Sequence, residues 1–154
     1  MEQRSGIIIR GHCQIWDAAD GTLLRDVHNI ITCGGCTFMA NYLSGGAPTA
    51  MSTVAVGSGA TAAVTGNTAL EAEIGGVDGD RHTAAISAPT TTSVMFSSSY
   101  GAGHATGNWY ECGVFNSIVA AGIMLCRATF GLLTKAAGDA FIITYTTSFA
   151  DDGV

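Results

Sequence analysis

Phe141-Ile-Ile-Thr-Tyr-Thr-Thr-Ser-Phe149 decides how this chain folds. Phe141, Ile143, Tyr145 and Phe149 fall on one side of an extended segment, and Thr144, Thr146 and Ser148 fall on the other. Period-two alternation of this kind, rich in β-branched and aromatic residues, is the pattern of a half-buried strand. Working back along the chain, Lys135-Ala-Ala-Gly138-Asp139 supplies a turn. Before it, Ile123–Phe130 and Trp109–Phe115 flank a loop ending in Gly122 and read as a hairpin. The Gly-rich stretch 101–107 separates these from a strand over Thr91–Tyr100, with Val94, Phe96 and Tyr100 on one face, and from a shorter one over Ala84–Ser87.

The N-terminal region repeats the pattern. Ile7, Ile9, Cys13 and Ile15 alternate with Arg10, His12 and Gln14, and Asp17-Ala-Ala-Asp20-Gly21 turns the chain into a returning strand over Thr22–Thr32. One helix interrupts the strands: Phe38, Met39, Tyr42 and Leu43 share a helical face within Cys36–Leu43, and Ser44-Gly-Gly-Ala-Pro48 ends it. Thr53–Val56 is a further short strand. Leu70, Glu71 and Glu73 suggest a single helical turn within an Ala-, Thr- and Gly-rich stretch. About eight short strands, Gly-rich turns and one helix predict a mainly β domain, an antiparallel β-sandwich or jelly-roll-like fold spanning residues 1–154. Residues 1–6 would be available as an N-terminal arm.

Composition narrows the function. Charged residues are only 12% of the chain and hydrophobic ones 47%, with a mean hydropathy of +0.34, yet no apolar run is long enough for a membrane-spanning helix. Soluble monomers keep a mixed, charged surface, so a surface this bland predicts burial against other protein subunits. Twelve acidic against six scattered basic residues, net −6, argue against nucleic acid as a partner, because phosphate binding needs clustered Lys and Arg. The apolar run at Ile7–Ile9 is too short for a secretory signal and Arg10 interrupts it. Synthesis and folding in a reducing cytoplasm are therefore expected.

Chemistry-bearing motifs are few. Cys33-Gly-Gly-Cys36 lacks the second ligand pair that a zinc site requires, and no βαβ unit supports a redox role. The plain reading makes these cysteines, like Cys13, Cys112 and Cys126, small apolar core residues. Val56-Gly-Ser-Gly-Ala-Thr61 superficially resembles a phosphate loop, but no helix-forming sequence follows, so a tight turn is expected. His12, His28, His82 and His104 belong to no nucleophile–base–acid motif. No catalytic, cofactor-binding or metal-binding residue is predicted. The ionisable residues that do stand out are structural ion-pair candidates: Glu71 or Glu73 with Arg81, and Glu111, which inside an apolar strand would need Arg127 or backbone donors if buried.

Several of these segments together resemble small structural proteins of tailed-bacteriophage virions. Val54-Ala-Val-Gly-Ser-Gly-Ala-Thr61 followed by Asn67-Thr-Ala-Leu-Glu-Ala-Glu73 and then Arg81 is similar to their VGxGxT…TALxxE…R segment, although 75–80 lengthen the spacing. Glu111-Cys-Gly-Val-Phe-Asn116, Gly122-Ile-Met-Leu-Cys-Arg127-Ala-Thr-Phe130, Lys135, Gly138-Asp139 and the final strand Phe141–Phe149 follow in the same order, spread across about two-thirds of the chain. The cysteines depart from the pattern. The resemblance implies a non-enzymatic virion protein, foremost a capsid decoration (cement) protein that binds the major capsid protein and itself, as trimers. Its alternative is a tail, fibre-base or baseplate component, in which Trp16, Trp109 and Tyr110 would stack on a receptor glycan if exposed, although burial in the β core is the expectation for such aromatics.

Overall fold

The computed structural model describes residues 6–75, 81–119 and 121–151. The arm expected over 1–6 and the segment 76–80 lie almost wholly outside these residues. Nine strands and one helix follow in the order β1 (Ile7–Asp17), β2 (Leu23–Ile31), α1 (Cys33–Leu43), β3 (Thr53–Gly57), β4 (His82–Thr83), β5 (Ala85–Ser87), β6 (Ser93–Tyr100), β7 (Gly107–Phe115), β8 (Met124–Lys135) and β9 (Phe141–Asp151). The described residues are mainly antiparallel β with a single short helix, as the alternation requires. Its strands form one sheet in the order β4-β3-β7-β8-β2-β1-β9-β6-β5, nearly closed into a barrel. The two layers expected of a sandwich are thus halves of one curled sheet.

Two features curl it. β2 pairs with β1 along most of its length, then hands over to β8 at Ile30↔Arg127 and Ile31↔Cys126. At the opposite side β4 and β5 are separated only by Ala84, so the two edges of the sheet are consecutive in the chain. Side chains finish the seam: Ser98 Oγ on β6 donates to the carbonyls of His82 and Thr83, and His82 Nδ1 lies 2.6 Å from the Ser99 carbonyl oxygen.

The predicted hairpins form. Asp17 and Asp20 cap the β1–β2 turn by accepting from the amides of Ala19 and Thr22, and Gly21 takes φ +73°, a conformation that costs glycine little. β7 and β8 pair across the loop ending in Gly122. β9 sits between β1 and β6, and inward-facing Phe141, Ile143, Tyr145 and Thr147 are buried. The main core between the layers gathers Cys13, Ile15, Val54, Val56, Trp109, Cys112, Val114, Cys126, Ala128, Ile143 and Tyr145.

A second, smaller apolar cluster lies on the other face of β3, β7 and β8, where Ala55, Phe115 and Met124 are covered by Leu70. Residues 58–75 cross that face as a strap. The single helical turn expected at Leu70–Glu73 is absent; this stretch runs extended beside β3, with Ser58 N donating to Ala72 O and Ile74 N to Val56 O. Those backbone bonds outcompete one isolated turn of helix, whose nucleation is unfavourable.

Helix α1 begins three residues earlier than its apolar spacing suggested. Thr32 is the N-cap: its Oγ1 accepts from Gly35 N and donates to Met124 O, binding the helix start to β8. Gly35 packs directly on the β8 backbone; a Cβ there would sit 3.0 Å from the Leu125 Cα and carbonyl carbon and nearer still to its oxygen. Gly35→Ala is expected to lift the helix from the sheet and cost about 1–3 kcal/mol, the range for overpacking, read as a lower urea midpoint. Gly34→Ala meets only ordinary contacts and should stay within about 1 kcal/mol of the parent, since Ala is the better helix former.

Candidate functional site

Every ion-pair residue singled out in the sequence is found on or beside the strap. Glu111, on the outward face of β7, is fully buried. Its Oε1 accepts from Ala72 N (2.8 Å) and Gly59 N (3.1 Å), and its Oε2 accepts from Arg127 Nε (2.7 Å) and Glu71 N (3.0 Å). Four donors therefore occupy one carboxylate, which satisfies a charge taken fully out of water. Arg127, on β8, also donates to Asn67 Oδ1 and Thr61 O, both on the strap. Glu71 approaches Arg127 at 3.6 Å but is exposed. The Thr61 amide and then the Thr61 hydroxyl, with Arg127 behind them, hold the Glu71 carboxyl below the usual carboxylate range.

The second knot joins the end of the strap to the sheet. Arg81 makes a two-pronged pair with Glu73, Nε to Oε1 at 2.6 Å and Nη2 to Oε2 at 2.8 Å. Its Nη1 donates to the carbonyls of Ser117 and Val119, and its guanidinium lies 3.9 Å from the centre of the Phe115 ring. Arg81 takes Glu73, not Glu71; Glu71 goes to Thr61 and Arg127 instead. These are tethers: the four donors to the Glu111 carboxylate are Arg127 and three strap amides.

The Gly57-Ser-Gly59 segment acquires a reason different from the tight turn expected there. Neither glycine has positive φ. A Cβ at Gly59 would lie 2.6 Å from Glu111 Oε1, and one at Gly57 would lie 2.7 Å from both Ala72 O and Glu111 Cγ. The glycines are bare so that Glu111 can reach the strap's amides. Thr61 and Asn67 were not anticipated as members of this network. Nothing local marks them, because their partner Arg127 is about sixty residues away.

The cysteines divide in a way the sequence did not suggest. Cys13, Cys112 and Cys126 are fully buried, with Cys13 and Cys112 Sγ 3.5 Å apart and Tyr145 Oη donating to Cys112 Sγ. Burial pushes the Cys13 and Cys126 thiols and the Tyr145 phenol upward. Cys33 and Cys36 are exposed on the first turn of α1, correcting the expectation that all five cysteines are core residues. Among the described residues no group of three or more His, Cys, Asp or Glu is placed to hold a metal ion.

The remaining distinctive surface is apolar. Along one side of α1, Phe38, Met39, Tyr42 and Leu43 face Ile7, Ile9 and Phe149 across a groove of about 280 Å³. It adjoins a second groove of about 260 Å³ that reaches Met51, Ile86, Val94 and Phe96. Leu43 is 85% exposed, Ile7 76% and Tyr42 64%. Among the described residues, no ionisable group except the Tyr42 phenol lines either groove. By contrast Trp109 is fully buried, with its indole nitrogen bonded to Ala105 O, so it is unavailable to stack on a sugar. Trp16 and Tyr110 are half-buried.

Comparison of the chain with protein-family models, with curated proteins and with solved structures finds no match in any of the three. No helix among the described residues is long and apolar enough to cross a membrane.

Proposed function

We propose that this chain is a structural, non-enzymatic protein of a tailed-bacteriophage virion, a decoration protein that binds the outside of the capsid as a homo-oligomer. The observation that carries the reading is the apolar face of α1 with the ends of β1 and β9. Scattered exposed hydrophobic residues are ordinary, but a contiguous, nearly charge-free patch of this kind marks a protein–protein contact. The low charge of the whole chain supports the same conclusion. The residues that carry the phage resemblance also converge in space: Gly57, Gly59, Thr61, Leu70, Glu73, Arg81, Glu111 and Arg127 all hold the strap to the barrel wall. A pattern spread over two-thirds of the sequence thereby has one structural purpose, a rigid building block.

Copies of the chain meet through this apolar face, and the assembled oligomer engages the major capsid protein, with affinity gained by repeated placement on the lattice. Trimers are proposed from the resemblance alone. Sedimentation analysis should show an oligomer for the parent and a monomer for Leu43→Glu, with the far-ultraviolet circular dichroism spectrum unchanged, because Leu43 is no part of the core of the single chain. Purified protein should pellet with emptied, expanded capsids and not with tails. A monomeric parent overturns the self-association, and pelleting with tails alone moves the protein to a tail or fibre-base position.

A further inference from the structure

We infer that Cys33 and Cys36 form a reversible redox pair, a surface dithiol that closes to a disulfide on the first turn of α1. Residues three apart on a helix have Cα atoms about 5 Å apart from helix geometry, inside the range of about 4.4–6.8 Å that a disulfide spans. Their Cβ atoms must close by about 1–2 Å from the usual helical spacing, a tightening toward 3₁₀ geometry that first turns accommodate. The intervening Gly34 and Gly35 carry no side chains to obstruct it.

Two further observations separate this pair from the other thiols. Cys33 and Cys36 are exposed, while Cys13, Cys112 and Cys126 are sealed in the core, where burial raises the thiols of Cys13 and Cys126 and disfavours the reactive thiolate. The turn that bears the pair is also held in place. Thr32 caps it from a buried position, Thr32 N donates to Leu125 O, and Cys33 N donates to Thr65 O at 2.7 Å. Two thiols fixed on one anchored turn react with each other faster than with a second molecule, because the entropy of bringing them together is already lost.

The oxidant is a low-molecular-weight disulfide. One protein thiolate attacks a sulfur of the disulfide, forming a mixed disulfide and releasing one thiolate. The second protein thiolate then attacks the protein sulfur of that mixed bond and releases the other thiolate. The protein dithiol loses two electrons and two protons, and the small disulfide is reduced to two thiols.

Iodoacetamide labelling followed by peptide mapping, with and without oxidised glutathione, tests this. In the native, reduced protein, Cys33 and Cys36 should be labelled and the other three cysteines should not, with all five labelled in denaturant. After oxidised glutathione, the peptide holding Cys33 and Cys36 should be lighter by two hydrogens, resist alkylation and recover on reduction, with no chain-to-chain link. Cys36→Ser should instead retain one glutathione on Cys33. Stable glutathione on both cysteines of the parent, a disulfide between chains, or no reaction would each overturn the pairing. The parent peptide map decides the matter even if the variant misfolds.

Discussion

Glu111→Ala is expected to lower stability by about 3–5 kcal/mol, the cost of leaving a buried charge without its partner. For a domain of this size that corresponds to a fall in Tm of roughly 6–20 °C, measured by circular dichroism. The reason lies in what Glu111 satisfies. Its removal takes the buried counter-charge from the Arg127 guanidinium, which is 1% exposed and keeps only the exposed Glu71 carboxylate at 3.6 Å, and it deprives the amides of Gly59, Glu71 and Ala72 of their acceptor. A buried ion pair alone is weak grounds for stability, because replacing both partners with apolar residues is often neutral. Glu111→Leu combined with Arg127→Met therefore separates two accounts. If the pair were all that mattered, the double variant would recover. It should not, because the buried Gly59 amide still lacks an acceptor, at about 1–3 kcal/mol for a buried group left unmade, and the part-buried amides of Glu71 and Ala72 lose theirs as well. Recovery to within about 1 kcal/mol of the parent, the cost of one ordinary hydrogen bond, would show that Glu111 is not what ties the strap. Glu111→Gln should fall between, since an amide keeps one oxygen acceptor but turns a donor toward donors.

The second large effect is expected at Trp109. Its ring meets Tyr100 edge-on at 5.2 Å and Phe141 edge-on at 5.5 Å. Tyr100 in turn stacks on His82 at the seam and donates from its hydroxyl to Val54 O. Trp109 is thus the centre of the packing that holds the two edges of the sheet together. Its indole nitrogen also donates to the carbonyl of Ala105, a residue held at φ +46°, where a non-glycine residue needs support from its surroundings. Trp109→Ala should cost about 3–5 kcal/mol through lost burial and the cavity left behind. Trp109→Phe should recover part of that by restoring an aromatic edge, while still losing the Ala105 bond. Hydrogen exchange should show the greatest loss of protection at β4 and β6, next to the seam. Loss spread evenly over all nine strands would show that the seam is no weaker than the rest of the barrel.

Much of the fold was legible because strand alternation is a local signal. Ile143 and Tyr145 point inward as their spacing requires, and the β1–β2 and β7–β8 hairpins form around the turns that Asp17–Gly21 and Gly122 announce. The helix was legible from Phe38 and Tyr42, but its first three residues were not. Cys33, Gly34 and Gly35 are poor helix formers alone, and they are helical because Thr32 caps them and β8 lies beneath Gly35. Phe149 shows the opposite limit. Its alternation matches that of Tyr145, yet it stands 37% exposed because β9 has by then run past the core to border the apolar groove.

The ion-pair residues were recognisable from rarity: in a chain this poor in charge, a Glu within an apolar strand needs a partner. Which arginine each acid takes was not readable, and neither were the parts played by Thr61 and Asn67. Cys33 and Cys36 departed from expectation for a similar reason, while Cys13, Cys112 and Cys126 are buried as expected. Only the capping by Thr32 and the docking of α1 on β8 place Cys33 and Cys36 on one helical turn and decide that it faces solvent.

By itself the sequence determined a mainly β chain, its hairpins, its one helix, and the scarcity of charge that points to assembly. Each of these follows from interactions between residues near one another or from composition. The tertiary structure alone decided that the strands curl into one nearly closed sheet, that a strap is laced to its outer wall through Glu111 and Arg127, and that α1 leaves an apolar groove uncovered. Those outcomes depend on pairings between residues far apart in the chain, such as Ile30 with Arg127 and Glu111 with Gly59, and no local pattern encodes which distant partner a strand or a carboxylate will meet.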